Sequence, residues 1–168
     1  PFFIKAAVKA INNVPIINSV IEKDKIIVKK NINFSIAVST DDGLQVPVIK
    51  NINDMDLLEI NSKINLVSKL AKNKKLNPED SQGGTITLSN GGSFGPIINT
   101  PIINQPQVAI IWTGKIIDRP VAYKGEIAIR STIYLCLSYD HRAMDGKDAS
   151  DFLVRMKENL EKAAEFLT

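Results

Sequence analysis

Ile133-Tyr134-Leu135-Cys136-Leu137-Ser138-Tyr139-Asp140-His141-Arg142-Ala143-Met144-Asp145-Gly146 is the stretch on which the reading of this chain turns. Ile133 to Leu137 is an unbroken apolar run, the pattern of a buried strand. Beyond Gly146, Ala149, Phe152, Leu153, Met156, Leu160, Ala163, Ala164 and Leu167 recur at helical spacing, so a final helix is predicted from Asp145 onward. His141 thus sits where strand hands over to helix, held by rigid elements on both sides. It is the only histidine in 168 residues, and histidine is the side chain whose unperturbed pKa suits acid–base work near neutral pH. Asp145 can cap the helix that follows, with Asp148 three residues on.

Working outward from this stretch, Gln107 to Gly114 reads as a buried strand containing the only tryptophan, Trp112. Arg119–Tyr123 and Glu126–Arg130 read as a hairpin turning at Lys124-Gly125. Upstream, Thr85 to Ser89 alternates as a strand and opens into the glycine-rich Asn90-Gly91-Gly92-Ser93-Phe94-Gly95. Residues 54–74 form an amphipathic helix with Leu57, Leu58, Ile60, Ile64, Val67, Leu70 and Ala71 in one stripe and Asn53 or Asp54 as its cap. Residues 2–13 form another, ending before Pro15. Between these helices lie β-branched runs over 16–21, 25–29, 33–39 and 44–49, with turns at Lys23-Asp24 and Asp41-Asp42-Gly43. Strands outnumber helices and come in hairpins, so the expected class is α+β with a mixed sheet.

Hydrophobic content of 44% and charged content of 23% are those of an ordinary globular domain. The length suits one core, and one domain over 1–168 is expected. A net charge of +3 with scattered lysines argues against a nucleic-acid partner. No apolar run reaches membrane-spanning length. A single cysteine cannot form an internal disulfide and fits a reducing compartment, and one Cys with one His makes a zinc site of the usual ligands improbable. Abundant Ile, Asn and Lys fit an AT-rich bacterial genome, so a cytoplasmic home is expected, or the mitochondrial matrix in a eukaryote.

His141, Asp145 and Gly146 stand as His-x-x-x-Asp-Gly after a strand ending Leu137-Ser138-Tyr139-Asp140. This resembles the active-site signature of the dihydrolipoamide acyltransferase cores of 2-oxoacid dehydrogenase complexes, and of chloramphenicol acetyltransferase, which shares their fold. The resemblance runs along the whole chain and is most specific over 83–104 and 133–146. It implies a chloramphenicol-acetyltransferase-like mixed sheet with flanking helices, in a trimer-forming chain. It implies that His141 is the general base towards the thiol of coenzyme A or dihydrolipoamide, and that Asp145 supports the site through an ion pair. Ser89 would donate to the tetrahedral oxyanion; Thr87, two residues earlier on the same strand face, is its competitor. Asn90, Gly91 and Gly92 would let backbone approach a pantetheine-sized arm.

Coenzyme A and a lipoyl group carried on a domain absent from this chain are the implied substrates, with no metal. Implied partners are two further copies in a homotrimer, with His141 of one facing Ser89 of the next. Trimers would assemble into a larger core that binds 2-oxoacid dehydrogenase and dihydrolipoamide dehydrogenase through absent domains. No lipoyl or subunit-binding domain is read in these residues. Family members carry further helix and strand before Phe2-Phe3-Ile4, so the start of the core is expected to be missing, together with the arginine that usually partners the motif aspartate.

The sequence "NGGSFG…TPIINQPQVAI" is closest to succinyl-transferring members, with acetyl and branched-chain transfer as neighbouring readings. Transfer of acetyl to a hydroxyl acceptor, or a structural core without turnover, are the alternatives in kind. Cys136 lies five positions before His141, about 16 Å away and on the opposite face of an unbroken strand. It is therefore expected to pack in the core rather than attack, and direct transfer between two thiols follows.

Overall fold

Helix α1 (Phe2–Ile11) forms where alanine and isoleucine recur at three and four residues, burying Ile4, Ala7, Val8 and Ile11. Pro15 then starts a short 3-10 turn over Pro15–Ile17, where its missing N–H is no loss. The strand expected from Ile16 therefore begins later: β1 (Ser19–Glu22) pairs antiparallel with β2 (Lys25–Val28). The runs at 33–39 and 44–49 are not continuous strands. They divide into β3 (Phe34–Ile36), β4 (Val38–Thr40), β5 (Gly43–Gln45) and β6 (Val48–Ile49). Pro47 has no N–H to continue a ladder, and its carbonyl accepts instead from Ile36 N at 2.8 Å. Strands β4 and β5 form their own hairpin, while β3 and β6 enter the main sheet.

Helix α2 (Leu57–Lys72) is capped by Asp56, not by Asn53 or Asp54. Asp56 Oδ1 accepts from Glu59 N at 2.8 Å, and Glu59 Oε2 accepts from Asp56 N at 2.9 Å, a reciprocal capping box. Asn53 is occupied elsewhere, its Oδ1 accepting from Ile32 N at 2.8 Å. The remaining elements are β7 (Ile86–Asn90), β8 (Ala109–Thr113), β9 (Ile117–Tyr123), β10 (Glu126–Thr132), β11 (Leu135–Tyr139) and α3 (Gly146–Glu161). The computed structural model describes residues 1–166, ending in a 3-10 turn over Ala163–Phe166; Leu167 of the expected helical stripe lies outside the described residues.

The main sheet has the order β11-β8-β7-β3-β6, with β3, β7 and β8 parallel and the two edge strands antiparallel. Its two faces differ in kind. Phe34, Ile36, Ile86, Leu88, Ala109, Ile111, Leu137 and Tyr139 share one core with Ile4, Val8 and Ile11 of α1, Ile60 of α2, and Phe152 and Met156 of α3. By the alternation of a strand, the other face carries Ser35, Thr87, Ser89, Ile110, Trp112, Cys136 and Ser138. On it Thr87 Oγ1 donates to Gln107 Oε1 at 2.6 Å and Gln107 Nε2 donates to Ser35 Oγ at 2.9 Å, all three residues being buried. Gly84 leaves room for this chain of bonds, since a Cβ there would run into Ser35 Oγ and Gln107 Nε2.

Replacing Gln107 by leucine would strand two buried hydroxyls and is expected to lower the unfolding free energy by about 1–3 kcal/mol. Chemical denaturation measures this, and a midpoint equal to wild type would show that the network contributes nothing.

Candidate active site

His141 is exposed on the turn that joins β11 to α3, with its ring centroid 5.5 Å from that of Tyr139. Asp140 ties this turn to the sheet, its N–H donating to Val108 O at 2.8 Å. The Asp140 carbonyl accepts from Ala143 N and Met144 N, and Met144 is buried, so the turn is anchored at both ends. Across His141, the Asp140 carboxylate holds the Arg142 guanidinium, with Arg142 Nη2 to Asp140 Oδ2 at 2.6 Å. These hydrogen bonds keep the Asp140 carboxyl below its ordinary range. The sequence reading passed over this pair, although an Asp-x-Arg spacing around the histidine was its signal.

Asp145 is the N-cap of α3, its Oδ1 accepting from Lys147 N at 2.8 Å and Asp148 N at 3.2 Å. It has no ion-pair partner among the described residues. Ser89 lies half-buried near the end of β7, opposite Trp112, and its hydroxyl makes no hydrogen bond among the described residues. Thr87, its rival on the same face, is committed to Gln107 within the buried network. Of the two, only Ser89 has a hydroxyl free to donate to an incoming oxyanion.

Asn90 Oδ1 accepts from Gly92 N at 2.9 Å and shapes the following loop. The glycines are explained here by packing. A Cβ on Gly91 would come within 2.6 Å of the Trp112 ring, and one on Gly92 within 2.5 Å of Gly114 O. Cys136 is half-buried beside Trp112, on the face away from the helices rather than in the helix-side core. No group of three or more His, Cys, Asp and Glu converges among the described residues, and no helix is long and apolar enough to cross a membrane.

The register separates the two principal side chains. Ser89 is level with Trp112, whereas Tyr139 is level with Ala109. Three residues amount to about 10 Å along the strands, and the two strand spacings from β7 to β11 add about 10 Å across. His141 lies beyond Tyr139, further still from Ser89. The two therefore occupy opposite rims of the sheet, out of reach of one carbonyl group within one chain. A cleft of about 700 Å³ beside Lys29, Asn33, Gly84 and Gln105, and one of about 620 Å³ beside Tyr134, Leu135, Val154 and Leu160, include neither residue.

The fold is that of chloramphenicol acetyltransferase: 95% of this chain superposes on 76% of such a structure with a TM-score of 0.59 at 18% identity. The family of 2-oxoacid dehydrogenase acyltransferase catalytic domains matches residues 1–168. The chain belongs to that family. It is 48% identical over 166 residues to the dihydrolipoyllysine-residue succinyltransferase component of the 2-oxoglutarate dehydrogenase complex of Azotobacter vinelandii, covering 99% of this chain and 42% of that protein. The chain thus spans less than half the length of this relative. The cubic core of a pyruvate dehydrogenase multienzyme complex matches with a TM-score of 0.93 at 34% identity, over all of this chain and 70% of that one.

Proposed function

We propose that this chain is the catalytic core of a dihydrolipoamide acyltransferase that moves a succinyl group between a dihydrolipoyl thiol and coenzyme A. The observation that carries the mechanism is the placement of His141 and Ser89 on opposite rims of one sheet. A complete site then forms between two copies, His141 coming from one and Ser89 from the next, in a ring of three.

Supporting this, the loop after Ser89 leaves Phe94 72%, Ile98 60% and Ile102 90% exposed. That is apolar area of the kind a neighbouring subunit covers. In this reading the three-fold units assemble into a larger core, which the similarity to the cubic core of a pyruvate dehydrogenase multienzyme complex supports. The lipoyl group arrives on a separate domain, and the dehydrogenase and lipoamide dehydrogenase are the partners of the assembled complex. Asn90, Gly91 and Gly92 wall the passage by which the pantetheine arm reaches Ser89.

The chemistry needs no acyl-enzyme. As the acceptor sulfur attacks the thioester carbonyl, an imidazole nitrogen of His141 takes the S–H proton. The carbonyl oxygen becomes an oxyanion that accepts a hydrogen bond from Ser89 Oγ–H, an interaction worth about 3–4 kcal/mol at the transition state. Collapse breaks the original C–S bond, and the departing thiolate takes the proton back from the imidazolium. Asp145 orders the turn from the α3 side by capping that helix.

A panel of succinyl-, acetyl- and isobutyryl-coenzyme A with free dihydrolipoamide tests the reading. Fastest turnover with succinyl is expected. Fastest turnover with another acyl group would correct the substrate, and transfer to a hydroxyl acceptor in place of the thiol would overturn the reaction.

A further inference from the structure

We infer that Asp140 and Arg142 are positioning residues for His141, a two-sided clamp that holds the peptide units before and after it in one arrangement. The inference rests on His141 being the base proposed above. All the side-chain bonds in question run between the two flanking residues. Arg142 Nε donates to both Asp140 carboxylate oxygens, at 3.0 and 3.2 Å, and Nη2 donates to Oδ2 at 2.6 Å. The Arg142 backbone N–H adds a fourth bond to Asp140 Oδ1 at 2.9 Å. Together they close a ring whose only enclosed residue is His141.

The two halves of the clamp are unequal. The Asp140 side chain is 19% exposed and its backbone is bonded into the sheet through Val108, whereas the Arg142 side chain is 69% exposed. An ion pair this open contributes little to global stability. Its geometry acts on the residue between the partners. The Asp151–Arg155 pair on α3 provides the contrast, a one-turn surface pair enclosing no candidate base. Among the described residues nothing hydrogen-bonds to the His141 ring. Its direction is therefore set by its backbone, by the clamp and by the Tyr139 ring beside it. A base that wanders from the attacking sulfur forfeits the orientation on which intramolecular rate advantages depend.

The test uses Asp140→Ala, Asp140→Asn, Arg142→Ala, Arg142→Lys and the double alanine variant, with Arg155→Ala as control. Loss of either clamp residue is expected to lower kcat by about 10–100-fold while KM for the acyl-coenzyme A changes by less than about twofold. The double variant should fall no further than either single one, because both remove the same device. Asp140→Asn keeps the acceptor for the Arg142 N–H and should retain part of the rate, whereas Arg142→Lys lacks the fork and should not. Arg155→Ala should match wild type.

The reaction of His141 with diethylpyrocarbonate gives a second reading that does not depend on turnover. His141 is the only histidine, so the absorbance of the N-ethoxyformyl imidazole reports it alone. Its rate should change severalfold in both alanine variants and not in Arg155→Ala. Unchanged reactivity in Arg142→Ala overturns the clamp, even if kcat falls, since Arg142 would then act on the substrate directly. Changed reactivity in a protein whose wild type transfers no acyl group upholds the clamp and removes the base.

Discussion

Replacing His141 by alanine is expected to slow acyl transfer by about 10²–10⁴-fold, the contribution of a well-placed general base. A thiol near its reference pKa of about 8.5 is mostly protonated at neutral pH, so attack without a proton acceptor draws on a small thiolate fraction. The loss should fall on kcat, with KM nearly unchanged, because in the proposed mechanism the imidazole acts on a proton in transit rather than on the bound arms. Stability should hold, since His141 is exposed and lies outside the helix-side core. Raising the pH should recover part of the rate in the variant as free thiolate accumulates. The measurement is a steady-state assay across pH with a thermal melt in parallel. A decrease below tenfold in a folded protein would remove His141 from the chemistry.

Co-expression of Ser89→Ala with His141→Ala chains should restore activity that neither variant has alone. Ser89→Ala by itself is expected to lose about 10²–10³-fold, as oxyanion donors do. In the proposed ring each shared site takes its histidine from one copy and its serine from the next. With equal, random mixing, a His141 from a Ser89→Ala copy meets a Ser89 from a His141→Ala copy at about a quarter of the junctions of a cyclic trimer. About a quarter of wild-type turnover should therefore return, at least an order of magnitude above either parent given the single-variant losses. Were both residues of a site supplied by one chain, every site would carry a lesion and mixing would return nothing. The outcome tests directly the separation that the strand register imposes.

Much of this was legible in the residues. The apolar run into Ser138 and the helical spacing after Gly146 locate β11, α3 and the turn between them, and the lone histidine marks the candidate base. Local pattern suffices there because strand and helix periods differ and each is sustained over several turns or pleats. It failed where a neighbour distant in sequence decided the outcome. The breaks at Ala37 and Pro47 follow from a change of partner, since Phe34–Ile36 pair with β7 in the main sheet while Val38–Thr40 pair with Gly43–Gln45 outside it. Asn53 is lost as the cap of α2 because Ile32 N–H, 21 residues earlier, claims its Oδ1, and the cap falls to Asp56. That Gly91 and Gly92 are also required by packing was not legible, because the Trp112 ring and the Gly114 carbonyl that a Cβ would meet come from another part of the chain.

By itself the sequence determined the α+β class and the placing of the helices and the last strand, because periodicity and turn chemistry are local properties, while its resemblance to the family put forward His141, Asp145 and Ser89 for the chemistry. The family resemblance favoured Ser89 over Thr87; only the tertiary structure shows that Gln107, far along the chain, claims the Thr87 proton. Only the tertiary structure separated Ser89 from His141, because register is a pairing between strands and no single strand carries it.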